Sequence, residues 1–238
     1  MQLTLDQIAA NWFVRPGDIV LDIGTYRGDT AEMYLARGAS LVHGFEPRAA
    51  PREGLPPALL NNPRFRLWPY ALGDRNGPAD LHVPGRNPGG ATLDRRFFES
   101  TRGPDGVDDR VETVEVRRLD DLGLPPAQFW KVDAEGAELE ILKGAAGTLK
   151  VSPPAAIQVE IFLHDRDRYA ETLNFIGDRF RHFWSIGLGE SGKLIVYDVD
   201  SSTVSSRHFH RDLARTGTPR YFASDRSLQD WVRPAGTM

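Results

Sequence analysis

The segment 18–30, DIVLDIGTYRGDT, constrains the fold of this chain more than any other part of the sequence. Within it an apolar run meets Asp22, Gly24 and Gly28, and a helix-compatible segment follows. This pattern predicts a buried strand that ends in a tight glycine turn at the carboxyl edge of a sheet, where α/β proteins bind nucleotide-like cofactors. Glu46 ends the next mostly apolar run, at about the 20-residue offset from which an acid can bind the two hydroxyls of a ribose.

The spacing of the glycines indicates which cofactor the turn suits. A dinucleotide fingerprint reads Gly-x-Gly-x-x-Gly, which lets backbone N–H groups and a helix N-terminus close on a pyrophosphate. Here the segment Thr25-Tyr26-Arg27 separates the two glycines, and an acid stands two places before the first. S-adenosylmethionine has no phosphate and carries a sulfonium and an ammonium group, so an acidic turn favours it over NAD. An NAD-dependent oxidoreductase is the alternative enzyme.

Composition narrows the class of protein. The chain has 238 residues, a net charge of −4 and no cysteine. A chain of this length forms one large α/β domain or, less readily, two small ones. The mildly acidic charge predicts no binding to nucleic acid, and no apolar stretch is long enough to span a membrane. The absence of cysteine excludes disulfides and thiolate catalysis and is expected of a cytoplasmic protein.

Apolar runs alternate with helix-like segments along most of the chain. Strands are predicted at 19–23, 41–46, 65–70, 80–83, 111–116, 129–132, 155–161, 182–186 and 194–199. The segment 48–62 should hold the second crossover, but its prolines break any long helix there. This order predicts an α/β fold with a doubly wound, mostly parallel sheet, to which the last hairpin adds an antiparallel strand.

Three segments are predicted around the core of the domain, which spans 17–200. An amphipathic helix occupies 1–16 and ends at a Pro-Gly pair. The segment 84–110 lacks periodicity, so it is either a flap that closes over an acceptor or a plain surface insertion. The serine-rich segment 201–238 is predicted to be a tail that packs on the domain or extends it.

Several motifs occur in the order and spacing of one family. They read DIGTYRGD, GFEP, ALGD, KVDAEGAELEILKGA and QVEI, and the first and the last lie about 140 residues apart. The chain thus resembles the FkbM-type methyltransferases over 17–162. The resemblance implies a class I S-adenosylmethionine-dependent fold of seven strands. It also implies O-methylation, often of a sugar hydroxyl in a polysaccharide, a glycolipid or a natural product.

The expected cofactor site combines the glycine turn with the ends of the next strands. Glu46 is expected to accept from the ribose hydroxyls, and Asp74 or the backbone of Ala71 to contact the adenine. The rival interpretation of Asp74 is a simple Gly-Asp turn, and that of the glycine segment is a strand-to-helix turn without a ligand. The expected cofactor-binding residues are Asp22, Gly24, Thr25, Tyr26, Gly28, Glu46, Pro47, Ala71, Asp74 and Asp133.

The expected catalytic residues follow the two strands at 129–132 and 155–161. Asp133, Glu135, Glu160 and His164 are the candidates, because a sugar hydroxyl needs a base to take its proton during attack. In a second version Asp133 and Glu160 hold Mg²⁺, which prefers oxygen ligands. Lys131 is predicted to pair with Glu160 across adjacent strands.

The acceptor is predicted to be a small molecule or a glycan. A cofactor-binding subunit without catalysis is the alternative to an enzyme, and the sequence leaves open whether the chain forms a homo-oligomer.

Overall fold

The structure is a computed structural model that describes residues 4–102, 106–162, 165–188, 194–199 and 220–232. The helices are α1 (Leu5–Phe13), α2 (Asp29–Ala36), α3 (Ala49–Glu53), α4 (Pro57–Leu60), α5 (Arg95–Thr101), α6 (Glu138–Gly144), α7 (Ala146–Val151), α8 (Arg166–Gly177) and α9 (Leu228–Val232). The strands are β1 (Ile19–Ile23), β2 (Leu41–Phe45), β3 (Phe65–Trp68), β4 (Ala71–Leu72), β5 (Gly77–Val83), β6 (Arg110–Arg117), β7 (Phe129–Val132), β8 (Ala156–Glu160), β9 (His182–Leu188), β10 (Leu194–Asp198) and β11 (Arg220–Ser224).

The large sheet of the described chain has the order β10-β9-β11-β8-β7-β1-β2-β3. Strands β3, β2, β1, β7 and β8 run parallel, whereas β11 is antiparallel to both of its neighbours and β10 is antiparallel to β9. Helices pack on both faces of this sheet, and the two apolar clusters of the core lie on opposite faces. The predicted doubly wound α/β fold is therefore confirmed, with eight strands in this sheet where seven were expected.

Strand β11 is an element of the large sheet that the sequence analysis missed. It lies within the segment 201–238, which was predicted to be a tail, and it inserts between β8 and β9. Its residues Tyr221, Phe222 and Ala223 are almost fully buried. The rest of the predicted tail, 201–219 and 233–238, lies outside the described residues.

The predicted flap 84–110 contains more regular structure than its composition indicated. Pro88–Gly90 forms a 3₁₀ turn, and α5 begins after Asp94, whose side chain accepts hydrogen bonds from the backbone N–H groups of Arg96 and Phe97. Phe97 and Phe98 are buried on the inner face of α5. The N-cap stabilises the start of α5, and the two buried phenylalanines pack the helix against the domain. A helix therefore forms where the composition predicted a loop.

The second crossover is broken as its prolines predicted. It consists of the two short helices α3 and α4, and α4 begins with a proline in its first turn. A second sheet in the described chain has three strands in the order β4-β6-β5. Among the described helices, no helix is both long and apolar enough to cross a membrane.

Candidate active site

A cavity of about 480 Å³ opens at the carboxyl ends of β1, β2 and β7. This volume is in the usual range for a small-molecule site. The start of α1, the glycine turn, the residues after β2 and the segment after β7 form its polar walls, and β4, β5 and the predicted flap form an apolar wall. The principal lining residues are Asp6, Gly24, Thr25, Tyr26, Glu46, Pro47, Arg48, Ala71, Leu72, Leu81, Leu93, Lys131, Asp133 and Glu135.

The glycine turn holds the backbone of β1 against the ends of both neighbouring strands. The N–H groups of Gly24 and Thr25 donate to the carbonyl oxygen of Phe45 at 3.1 Å. Gly24 has a φ of 84°, and a Cβ on it would lie 1.9 Å from the backbone oxygen of Asp133. A glycine is thus required at this position both for its backbone conformation and for the close approach of two chain segments.

Gly28 and Asp22 support the turn from outside the cavity. Gly28 is the N-cap of α2, and a Cβ on it would lie 2.4 Å from a methyl carbon of Leu59 in α4. Asp22 is fully buried beneath the turn, where it accepts from the hydroxyl of Thr30 at 2.9 Å. Burial raises the pKa of Asp22, against the attraction of Lys131. Both residues shape the cavity without being part of its surface.

Glu46 lines the cavity directly after β2. One of its carboxylate oxygens accepts from the backbone N–H of Tyr26 at 3.1 Å, and the other accepts from that of Arg48 at 2.9 Å. Its side chain is almost fully buried, and burial raises its pKa. Each oxygen keeps a second lone pair for a ligand, so the position predicted from sequence spacing lies in the cavity wall.

Arg48 is a wall residue that the sequence analysis did not identify. Its guanidinium donates to the carbonyl oxygen of Pro88 at 2.8 Å and lies 3.3 Å from a carboxylate oxygen of Glu112 in β6. The hydrogen bond to Pro88 therefore connects the predicted flap to the residues that follow β2. No sequence pattern indicated this role, because the partners lie 40 and 64 residues away.

The two residues predicted to contact the adenine, Ala71 and Asp74, line different cavities. Ala71 lies on the apolar wall with Leu72, Leu81 and Leu93. Asp74 does not line this cavity but a separate one of about 610 Å³, because the chain bends at residues 74 and 75. Asp74 therefore lies apart from the other predicted cofactor residues, and its contact with the adenine stays a prediction.

The predicted ion pair between Lys131 and Glu160 is wrong. The ammonium of Lys131 lies 3.3 Å from Asp133 and 3.7 Å from Asp22, and it donates to the carbonyl oxygen of Gly24 at 3.2 Å. The parallel register explains this difference, since Lys131 lies opposite Asp22 on β1 and opposite Gln158, not Glu160, on β8.

Glu160 instead pairs with Arg220, the first residue of β11. Glu160 does not line the cavity but lies behind Asp133. Burial favours the neutral form of both carboxyl groups, but at Asp133 the charge of Lys131, the hydrogen bond from Glu160 and the charge of Arg220 together outweigh burial and lower the pKa to about 2. Burial, followed by the charge of Asp133, raises the pKa of Glu160 to about 10. The pair therefore retains one proton, which is held on Glu160 and hydrogen-bonded to Asp133.

The turn after β7 carries a second pair of acids. Glu135 lines the cavity with a φ of 54°, and burial, followed by the charge of Asp133, raises its pKa to about 7. Glu138 is buried, and its carboxylate accepts from the backbone N–H groups of Ala134 at 2.9 Å and Gly136 at 3.2 Å. Burial raises the pKa of Glu138 to about 7 as well. Glu138 thus stabilises the turn through these hydrogen bonds, and Glu135 lines the cavity.

The residues present do not fit a divalent cation held by Asp133 and Glu160. Within the described ranges, no group of three or more His, Asp or Glu side chains is arranged to hold a metal ion. The two carboxyl groups already face Lys131 and Arg220, so a dication there would meet two fixed positive charges. His164, the fourth predicted catalytic residue, lies outside the described residues.

Comparison with known proteins gives concordant matches. The model of the Methyltransferase FkbM domain family matches residues 22–184. The 2-O-methyltransferase NoeI of Sinorhizobium fredii is 33% identical over 152 residues, which cover 57% of this chain and 60% of that protein. The chain thus matches less than two thirds of the length of this curated relative.

Comparison with solved structures shows a similarity in fold. Methyltransferase FkbM from Methylobacillus flagellatus KT superimposes with a TM-score of 0.52 at 18% identity, covering 87% of this chain and 43% of that chain. A precorrin-6Y C5,15-methyltransferase from Geobacter metallireducens GS-15 has a TM-score of 0.49 at 10% identity, covering 93% of this chain and 88% of that chain. The first match supports the Rossmann-like arrangement derived from the sheet order.

Proposed function

The chain belongs to the FkbM methyltransferase family, and we propose that it transfers a methyl group from S-adenosylmethionine to a hydroxyl of a sugar, a glycan or a glycosylated natural product. The observation that carries the proposal is the cavity at the ends of β1, β2 and β7. It has an acid after β2 and an acidic turn after β7, on either side of the Gly24 backbone. Family membership favours methyl transfer over the NAD-dependent alternative.

The lining of the cavity fits S-adenosylmethionine in shape and in charge. When bound, this cofactor supplies a methyl group activated by a sulfonium. The missing Cβ of Gly24 lets the turn after β1 approach the backbone of Asp133, and the apolar surface of Ala71 and Leu72 suits a flat ring. The carboxylates of Asp133 and Glu135 suit a ligand that carries positive charge.

Glu46 is assigned to the two hydroxyls of the ribose. Its carboxylate is oriented by the backbone N–H groups of Tyr26 and Arg48, so little side-chain entropy is lost when a ligand binds. Its buried position also strengthens each hydrogen bond to the ligand, since water cannot compete there.

Glu135 is assigned as the general base. A sugar hydroxyl has a very high pKa, so a nearby group must accept its proton as the oxygen attacks the methyl carbon. Glu135 lines the cavity, and its pKa of about 7 makes it a stronger base than an ordinary carboxylate while leaving it largely ionised just above neutrality. Asp133 is the weaker candidate, because its pKa of about 2 leaves it little affinity for a proton.

The hydroxyl acceptor is supported by the relative from Sinorhizobium fredii, which is named a 2-O-methyltransferase. That name describes the relative, and its extension to this chain is part of the proposal. We further propose that 17–200 together with β11 form one catalytic domain, because β11 completes its sheet.

The proposal is tested by incubating the full chain with methyl-labelled S-adenosylmethionine and a panel of glycan and natural-product acceptors. Mass spectrometry should find an added methyl group on a hydroxyl oxygen, and Glu135→Gln should abolish most of the transfer. Glu99→Gln, in an exposed ion pair of α5, is the matched control and should retain the wild-type rate. Binding of S-adenosylhomocysteine without transfer to any acceptor would favour the non-catalytic alternative. Binding of NADH alone would refute the methyltransferase assignment.

A further inference from the structure

We propose that Asp6, in the first turn of α1, binds the ammonium group of the methionyl part of the cofactor. This inference rests on the proposed function and extends the cofactor site to the N-terminal helix. Asp6 lines the same cavity as Gly24 and Asp133, at the end opposite the apolar wall. The family match begins at residue 22, so Asp6 lies outside the segment that identifies the family.

The side chain of Asp6 is held in place by the sheet. One carboxylate oxygen accepts from the side-chain amide of Gln158 on β8 at 3.0 Å, and the same oxygen lies 4.0 Å from the guanidinium of Arg220. The side chain is 28% exposed, so it is neither sealed in the core nor free in solvent. A carboxylate oriented in this way can accept from a ligand without first becoming ordered.

Helix α1 itself is anchored, which fixes the position of Asp6. Thr4 and Gln7 form a reciprocal capping box at its start. Ile8, Ala9 and Phe13 are buried, and Phe13 stacks on Phe222 of β11 with ring centroids 5.1 Å apart. The helix is therefore a packed wall of the cavity.

Charge balance at this end of the cavity calls for a cation. Within the described part of the chain, the acids near it, apart from the protonated Glu160, are Asp6, Asp22, Asp133 and Glu135, and the basic groups are Lys131 and Arg220. Lys131 is shared by Asp22 and Asp133, and Arg220 lies 3.7 Å from Asp133 and 4.0 Å from Asp6. The ammonium of the ligand would supply positive charge that the protein lacks there.

The test compares two probes on the full chain by calorimetry. S-adenosylhomocysteine carries the amino-acid part, whereas 5′-methylthioadenosine has the same nucleoside and thioether without it. Asp6→Asn should weaken binding of S-adenosylhomocysteine about tenfold, because the acceptor of the ammonium loses its negative charge, and should change binding of 5′-methylthioadenosine less than twofold. Asp178→Asn, at the exposed C-terminus of α8, is the matched control and should change neither.

The outcomes separate this inference from the proposed function. Equal loss for both probes, or no loss for either, overturns the role of Asp6. Should the Asn variant fail to fold, Asp6→Ser gives the same comparison, because serine is accepted near a helix start. A wild-type chain that binds neither probe refutes the proposed function itself.

Discussion

The α-carbon of Gly24 faces the backbone oxygen of Asp133 so closely that a Cβ would lie 1.9 Å from it. This contact joins the turn after β1 to the turn after β7, and it sets the width of the cavity between them. We expect Gly24→Ala to lower the free energy of unfolding by about 3 kcal/mol or more, from backbone strain and overpacking together, and to abolish binding of S-adenosylhomocysteine.

Gly17→Ala measures the cost of backbone strain alone, without the cost of a close contact. Gly17 has a similar φ of 93° and nothing within 4 Å of its Cβ position. In this variant the free energy of unfolding should fall by only about 1 kcal/mol, and S-adenosylhomocysteine should bind normally. Chemical denaturation and calorimetry on both variants measure the difference, and equal losses would show that the Gly24–Asp133 contact is unimportant.

The carboxylate of Glu46 should dominate affinity for the ribose. Glu46→Gln keeps one acceptor oxygen but loses the charge, and we expect the Kd of S-adenosylhomocysteine to rise about 10- to 100-fold. Glu32→Gln, on the exposed side of α2, should leave the Kd unchanged. Affinity for adenine, which lacks a ribose, should be the same in wild type and Glu46→Gln; a parallel loss would mean that the substitution distorts the whole cavity.

Glu138 should act through the turn and not through its charge. Glu138→Ala leaves the N–H groups of Ala134 and Gly136 without an acceptor in a buried place, so we expect a loss of about 2–4 kcal/mol in the free energy of unfolding. Glu138→Gln retains a carbonyl oxygen at the same position and should lose much less. Urea denaturation at pH 7 measures the stability of both variants. If Glu138→Gln destabilises the protein as much as Glu138→Ala, the hydrogen bonds to the turn are not the role of Glu138.

The pKa of Glu135, raised by burial and by Asp133 to about 7, should make activity and stability change in opposite directions with pH. The folded chain holds this proton more tightly than the unfolded chain, whose Glu has an ordinary pKa near 4.5. Stability is thus favoured below about pH 4.5 and falls as pH rises towards 7. The transfer rate should rise across pH 6–8 as the base ionises, and the stability slope should flatten in Glu135→Gln.

Lys131 should be essential because it compensates two buried acids. Lys131→Met leaves Asp22 and Asp133 without their shared cation. We expect the free energy of unfolding to fall by about 3–5 kcal/mol at pH 7. Asp133 has a lowered pKa, so its contribution is present above about pH 4 and is lost as pH falls towards 2. The deficit of the variant should therefore shrink in acid; a constant deficit from pH 7 to 3 would contradict the ion-pair origin.

Local patterns in the sequence predicted the parallel core and one wall of the site. The glycine turn, the acid after β2 and the helix start after β7 are each encoded within a few residues, since turn chemistry and strand period are local properties. Thr25, Tyr26, Glu46, Pro47, Ala71, Asp133 and Glu135 line one cavity, and their roles in binding and catalysis stay predictions.

Only the tertiary structure decided the ionic partners that lie far apart in the sequence. The parallel register placed Lys131 opposite Asp22, and the insertion of β11 placed Arg220 beside Glu160, 60 residues away along the chain. Strand pairing between distant segments leaves no periodic signal in either segment. The chain sequence by itself therefore determined the fold class and the glycine turn, whereas long-range packing determined the ionic partners and brought Asp6 to the site.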